Sequence, residues 1–493
     1  VGTRRDLVAN YLGSAWAALM GFVFVPFYLN FIGAEGYGLV GFFVLLSAMF
    51  GMLDGGMGAA ATRESARFGA ADDEEKARIV TLLRTMEMLF WSASILAGLG
   101  IALCAPLLVD HWLNVSESMR PDTVIAVRWM ALAVAMQFPL AFYSGCLNGL
   151  QRQVVLNATS AIGATVRGGG AALALWLVSP TVDTFFLWHV VSGGLLLAVQ
   201  RAVVLMELNK VAWAGRLSLK SLGAIKKFLG GVGTINILSL LLTQVDKIIL
   251  SKVLPLAEFG YYTLAWTLGT LIYRITGPIF VVYYPRLIVC IEREDKSGLL
   301  LTYRTSWTLL AALVVPFSLW LAFFSRDILV LWTQNQEIAQ AASVALTLIA
   351  LGSMCNALMH MPYAMQLAHG VTRLALLQNI ATLLVIAPLT WVLATRFGMT
   401  AAAIPWLLVN ASYVAISPTL MHRILALDGL TEWYAKGVAV PLIASTPVLI
   451  VAWLIWEPQT QQKVVSAIVL SLVLAGACIT SLAMAWPRIQ TRN

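Results

Sequence analysis

Four basic side chains stand where the surrounding sequence should exclude them. Arg128, Arg167, Lys247 and Arg274 each fall inside a membrane-length apolar run. An ionised group in hydrocarbon costs about 2.5–3.5 kcal/mol on insertion scales, so it faces a partner or a wet cavity. Arg167 is the most isolated. No acid occurs in its run, and Gly168, Gly169 and Gly170 behind it permit close backbone approach or a local bend. Bonds to neighbouring carbonyls, or to an acid on another helix, would also satisfy it. Arg274 precedes a Gly277–Pro278 break, or else snorkels to the interface. Arg128 lies close enough to the end of its run for snorkelling. The stretch TQVDKIIL, residues 243–250, adds Gln244 and an acid, Asp246, beside Lys247.

The elements that position these residues follow from composition. The chain has 493 residues, 60% hydrophobic and 11% charged, against about 45–50% and about 25% in soluble domains. Its apolar residues arrive in blocks of about 20 or more, enough to cross about 30 Å of hydrocarbon as a helix. The expected fold is an all-α polytopic membrane protein. Fourteen spans are expected. Six fall at 9–30, 38–60, 86–109, 123–148, 155–178 and 184–206. Six more fall at 228–253, 258–284, 303–324, 341–366, 374–395 and 402–423, and a last pair at 436–456 and 464–486. The expected organisation is a six-helix lobe (1–209), a basic cytoplasmic linker (210–227), a second six-helix lobe (228–424) and an extra helix pair (425–493). The first run is too long for a signal-peptide core and reads as a retained helix. The five cysteines, without a CxxC pair, read as small buried hydrophobes.

Charge orients the spans. With both termini cytoplasmic, Arg120, Lys252, Arg326, Arg396 and Lys463 fall outside. The four intramembrane cations stand apart, which leaves 23 of the 32 Lys and Arg inside. The net charge of +8 is therefore a topology signal, and no nucleic-acid partner is implied. The segment 207–228 alternates basic and apolar residues, as in an interfacial helix on anionic lipids or a plain positive-inside linker. ADDEEKAR, 71–78, reads as a solvated loop.

An internal repeat is visible between residues 30–63 and 252–286. Shifted by 222, Gly38 meets Gly260 and Gly55 meets Gly277, and each stretch ends near an Arg, Arg63 or Arg286. Six helices per unit is even, so the two lobes would run parallel. The stretch from Asn10 through Gly33, Glu35, Tyr37 and Gly38 to LDGGMGAAATR resembles the start of Wzx-type polysaccharide and O-antigen flippases. TQVDKIIL followed by FGYYTLAW resembles the start of their second half. These proteins belong to the multidrug/oligosaccharidyl-lipid/polysaccharide exporter superfamily. The resemblance implies alternating access and a polyprenyl-pyrophosphate-linked oligosaccharide as cargo, carried from the inner to the outer leaflet of a bacterial inner membrane.

Such a cargo needs cations for its pyrophosphate, and Arg offers two parallel donors and keeps its charge when desolvated. Arg167, Arg274 and Arg128 are therefore candidate cavity residues. Gln137, Asn236 and Gln244, with Asn148, Asn356 and Gln366, could meet sugar hydroxyls or simply bond between helices. Asp246 and Asp54 are candidate gate or ion-coupling residues. Asp54 could instead pair with Arg63. Asp246 is expected to reach Arg128, or a partner within the second lobe, because Lys247 can snorkel away. His189 and His360 could titrate if H⁺ rather than Na⁺ drives the cycle. Other polysaccharide-assembly proteins are conceivable partners. No catalytic residue, metal or cofactor is assigned, and no GxxxxGK, HExxH or GxSxG stands out. The rivals are a membrane-embedded polymerase or glycosyltransferase and a MATE-like drug or cation antiporter. A polymerase needs a sizeable catalytic loop, and an antiporter favours buried carboxylates.

Overall fold

A computed structural model describes residues 13, 15–52, 57–69, 71–208, 240–241, 243–456 and 463–485. Among them the chain is helical throughout, and eleven helices are long and apolar enough to cross a membrane. This is an all-α polytopic membrane protein. Three of the fourteen expected runs are not counted separately among those eleven. The first and second runs meet at a kink inside α1 (Val25–Met52), where Gly33 turns the chain at φ 69°. The fifth run forms a 25-residue helix, α6 (Gln153–Leu177), which falls outside those eleven. The seventh run is described only from residue 240. Asp54, Asn236 and the linker 210–227 lie outside the described residues.

Contacts divide the chain into Val1–Gly260 and Tyr261–Asn493. In the first unit follow α2 (Met57–Phe68), α3 (Asp73–His111), α4 (Arg120–Ala135), α5 (Gln137–Gly149), α6 and α7 (Val182–Leu208). Its core is an apolar cluster of Leu83, Met86, Phe90, Phe142, Cys146 and their neighbours on α2, α3, α5 and α7. Two glycines set the α2–α5 spacing. A side chain at Gly145 would come within 2.5 Å of the Gly58 carbonyl, and one at Gly149 would overlap that of Thr62. The acidic stretch 71–78 is no loop. Asp72 caps α3 by accepting from the Glu75 N–H at 2.8 Å, and Asp73, Glu74 and Glu75 fill the first turn, where the helix dipole favours negative charge.

The second unit continues with α8 (Leu256–Gly269), which begins in the first, then α9 (Tyr273–Glu292), α10 (Lys296–Phe323), α11 (Ser325–Thr333), α12 (Gln336–Leu358), α13 (His360–Ala368), α14 (Arg373–Ala402) and α15 (Ile404–Ile424). The last pair is α16 (Val440–Ile455) and α17 (Lys463–Ala485). This pair packs on α10, where the Trp320 indole donates to the Leu470 carbonyl at 3.0 Å.

Three expected single spans are broken. The fourth divides at Met136 into α4 and α5, and the tenth divides at Met359 into α12 and α13. Three residues beyond each break stands a proline, Pro139 or Pro362. A proline lacks the N–H for the carbonyl four residues back and its ring collides with that carbonyl. The sequences Met136-Gln-Phe-Pro139 and Met359-His-Met-Pro362 thus break the same span at the same place, 223 residues apart. The eighth span breaks between α8 and α9, not at Gly277–Pro278 as expected. Pro278 sits inside α9, and the chain tightens upstream into three-residue turns, with Arg274 N–H donating to Leu271 at 2.9 Å.

The repeat-related glycines Gly38 and Gly260 touch. A side chain on Gly260 would meet the Ala34 carbonyl at 2.8 Å and the Gly38 nitrogen at 2.9 Å, and one on Gly38 would overlap the Leu256 carbonyl. The same end is tied by the Leu256 N–H to the Asn114 carbonyl at 3.1 Å, Trp112 to Ser251 at 3.1 Å and Lys252 over the Trp112 ring. Forcing a side chain into such a crossing costs about 1–3 kcal/mol. Gly260→Leu should therefore lower the melting temperature in detergent, whereas Gly51→Ala, with nothing within 4 Å, should leave it unchanged. Circular dichroism on heating compares the two.

Candidate functional site

The first unit carries a cationic centre. Arg167 lies mid-way along α6, half-buried, and among the described residues it has no carboxylate partner. Electrostatically it senses the Tyr28 hydroxyl and the His189 ring. Tyr28 donates to the Gly168 carbonyl at 2.9 Å. His189 shares a hydrogen bond with the Phe185 carbonyl at 2.9 Å and stacks among Phe43 and Phe185, with centroids 5.5 and 4.3 Å away. The three glycines admit rings rather than another backbone. Phe24 would come within 2.6 Å of a side chain at Gly168, and the Trp188 indole fills the space beside Gly170 while donating to Val166 at 2.9 Å. A guanidinium with no carboxylate partner among the described residues can donate two parallel hydrogen bonds to an oxyanion.

The other candidates are dispersed. Arg274 is exposed in the first turn of α9, beside the break in the eighth span. Arg128 is exposed on α4 and has no ion pair among the described residues. Asp246 does not reach it. Lys247 folds back onto its neighbour instead, with Nζ 3.3 Å from Asp246 Oδ1 and 3.2 Å from the Thr243 carbonyl. The expectation that Lys247 snorkels away overlooked the reach of its flexible four-carbon stem back to its neighbour. Gln244 bonds weakly to Thr243 at 3.5 Å. Gln137, at the Met136 break, donates to Ser47 at 2.8 Å.

One group escaped the sequence reading, and a second was seen only in part, through Asn356, His360 and Gln366. Glu87, buried in α3, accepts from the Tyr143 hydroxyl and from Arg201 Nε at 3.1 Å. An acid just inside the third run was its signal. The second unit holds an uncharged cavity of about 310 Å³ lined by His360, Tyr363, Gln366, Gln378, Asn379 and Tyr413, among others. Its signal was a run of amides inside spans ten and eleven.

The family described as "Polysaccharide biosynthesis protein" matches residues 4–289, more than half of the chain. The chain belongs to the polysaccharide biosynthesis protein family. One relative of this family member is "Putative O-antigen transporter" of Shigella flexneri, 20% identical over 406 residues, covering 82% of this chain and 93% of the relative. Among solved structures, "Lipid II flippase MurJ, inward closed conformation" matches with a TM-score of 0.68 and 13% identity over 98% of this chain and 99% of that one. An inward-facing MATE family transporter of the MOP superfamily matches at 0.63 and 11% identity, over 86% and 96%. At such identity the structures establish the fold, that of the MOP superfamily. The resemblance to Wzx-type flippases drawn from the sequence is borne out, and the relatives are transporters rather than enzymes.

The ion pair gives a sharp test. Asp246 and Lys247 each keep 13% side-chain exposure, and polar pairs within membrane bundles couple by about 0.6 kcal/mol on average and up to about 1.7 kcal/mol. A double-mutant cycle of Asp246→Asn with Lys247→Met, read as unfolding free energy in detergent, should show coupling in that range. The cycle of Asp246→Asn with Arg128→Ala should show none.

Proposed function

We propose that the protein is a flippase for a polyprenyl-pyrophosphate-linked oligosaccharide, moving it between leaflets of the bacterial inner membrane by alternating access for surface polysaccharide assembly. The observation that carries this reading is Arg167, a cation placed mid-way along a bundle helix with no carboxylate partner among the described residues and with Tyr28 and His189 in its field. Its guanidinium would grip the pyrophosphate, and Arg274, exposed beside the broken eighth span of the second unit, would be a second candidate cation for the cargo. Both termini would face the cytoplasm, and the basic segment 210–227 would lie on anionic lipids near the inner entrance. A proton or sodium gradient would drive the cycle, in company with other polysaccharide-assembly proteins.

A cation antiporter needs a buried acid that is free to bind its cargo. Among the described residues the buried acids Glu64 and Glu87 are already engaged, by Arg67 and by Tyr143 with Arg201, which favours anionic cargo. Asp183, whose Oδ1 has no partner among them, stands in the first turn of α7 at the end of its span. A polymerase would act on repeat units already outside. The two differ in where intermediates collect. Deleting a flippase strands single lipid-linked units on the cytoplasmic face, whereas deleting a polymerase leaves them exposed outside.

A hydrogen bond to a charged group contributes about 1.5–3 kcal/mol, and each 1.4 kcal/mol is tenfold in affinity. Arg167→Ala should therefore weaken binding of undecaprenyl pyrophosphate by roughly 10- to 100-fold and strand lipid-linked glycan inside. Arg167→Lys, which keeps charge but loses the fork, should fall between. Normal surface glycan in cells carrying Arg167→Ala and Arg274→Ala together would remove both residues from the site.

A further inference from the structure

The uncharged cavity of the second unit is built differently from the cationic centre. It lies among α12, α13, α14 and α15, and no Asp, Glu, Lys or Arg lines it. Its volume sits at the lower end of small-molecule sites, about 300–1,000 Å³. One wall is a closed network. Tyr273 donates to Asn356 at 3.0 Å, Asn356 to Asn410 at 2.8 Å and Asn410 to the Trp406 carbonyl at 2.7 Å. Gln378 donates to Ser417, and the Tyr413 hydroxyl to the Gln378 carbonyl at 2.7 Å. These groups are satisfied and hold the wall rigid.

Two amides in the same cavity are not satisfied. Gln366 is 2% exposed, and its Oε1 has no hydrogen-bond partner among the described residues. Asn379 also lines the cavity, and its side chain makes no hydrogen bond among the described residues. An acceptor that no neighbouring residue fills is open to a hydrogen bond from a ligand or a water. The repeat shows that a partner could have been supplied. Position 143 lies 223 residues before 366, and there the Tyr143 hydroxyl is met by Glu87. The same cavity is lined by Tyr363, 43% exposed, with its ring stacked on Phe280.

We propose that this cavity is a carbohydrate subsite, in which a neutral sugar ring donates a hydroxyl to Gln366 Oε1, bonds a second hydroxyl to Asn379 and lays a C–H face on Tyr363. Amides that both donate and accept suit hydroxyls, which do the same, and an aromatic face suits the apolar side of a pyranose. The absence of charge among the lining residues disfavours phosphate and cations alike. The assignment rests on the flippase reading for the sugar's place in the cargo, but the chemistry of the pocket stands without it.

The test uses full-length protein in detergent and two probes bound separately. One is the free oligosaccharide released by mild acid from the lipid-linked pool of the strain that encodes this chain. The other is undecaprenyl pyrophosphate without sugar. Gln366→Leu and Asn379→Leu should each weaken oligosaccharide binding by about tenfold and leave pyrophosphate-lipid binding unchanged, which also certifies their folding. Gln366→Leu should in addition raise the melting temperature, because it removes an unsatisfied buried acceptor. A structural glutamine would lower it. Wild-type protein that fails to bind the oligosaccharide, or variants that bind it as tightly, would overturn the subsite. Oligosaccharide binding without pyrophosphate-lipid binding would uphold the subsite and remove the flippase reading.

Discussion

The constraint on which this structure depends is the absence of water from the hydrocarbon layer. Every polar group carried into it must find a partner within the bundle, because each orphan costs several kcal/mol. Most do so by local means. Thr62, Thr85 and Thr267 return their hydroxyls to carbonyls four residues back, and Ser94 reaches across to the Ala135 carbonyl at 2.7 Å. Two of the charges comply, since Glu87 meets Arg201 and Asp246 meets Lys247. Against that background the exceptions carry information. Arg167 has no counter-charge among the described residues, and seven buried side-chain atoms among them, Asp183 Oδ1 and Gln366 Oε1 included, meet no partner there. Of these residues Gln366 lines a cavity.

The same constraint explains why irregular backbone is confined to a few places. A broken helix frees carbonyls, and these are tolerable only where protein or a wet cavity can receive them. The Met136 and Met359 breaks sit at equivalent points of the two halves, each three residues before a proline. Each break presents a polar side chain, Gln137 or His360, one residue on. Gln137 bonds Ser47, and His360 shares a hydrogen bond with the Asn356 carbonyl at 3.2 Å. A polar side chain thus follows the break in each half, and each is bonded within its own unit.

Much of this was legible in the sequence, and the failures share a cause. Apolar run length and the distribution of lysine and arginine report on burial along the membrane normal, so the class of fold followed from composition alone. The Gly38/Gly260 match was read as a weak repeat signal, and in three dimensions it marks a backbone crossing that neither position could make with a side chain. What composition does not report is geometry around a helix axis. Pro139 and Pro362 were visible yet passed over because their runs read as continuous, while Gly277–Pro278 drew attention although the chain bends upstream of it. Side-chain reach was likewise misjudged at Asp246, whose partner is the adjacent residue rather than Arg128. Unsatisfied groups cannot be read from sequence at all, since Gln366 and Gln378 are the same residue type and only packing separates the orphan from the bonded one.

That separation bears on how a transport cycle could be driven. A ligand shifts a conformational equilibrium only by its difference in affinity between the states. A cavity whose polar groups were all satisfied at rest would gain little from a sugar, because each new hydrogen bond would replace an existing one. Gln366 is different. Its Oε1 acceptor has no partner among the described residues, so a hydroxyl reaching it would add a bond without breaking one within the protein. A conformation that closes the pocket or offers Gln366 an internal donor would forfeit this gain. On the proposed subsite, the amide would thus convert sugar occupancy into a preference for the conformation that keeps the pocket open, without a titrating group or a charge.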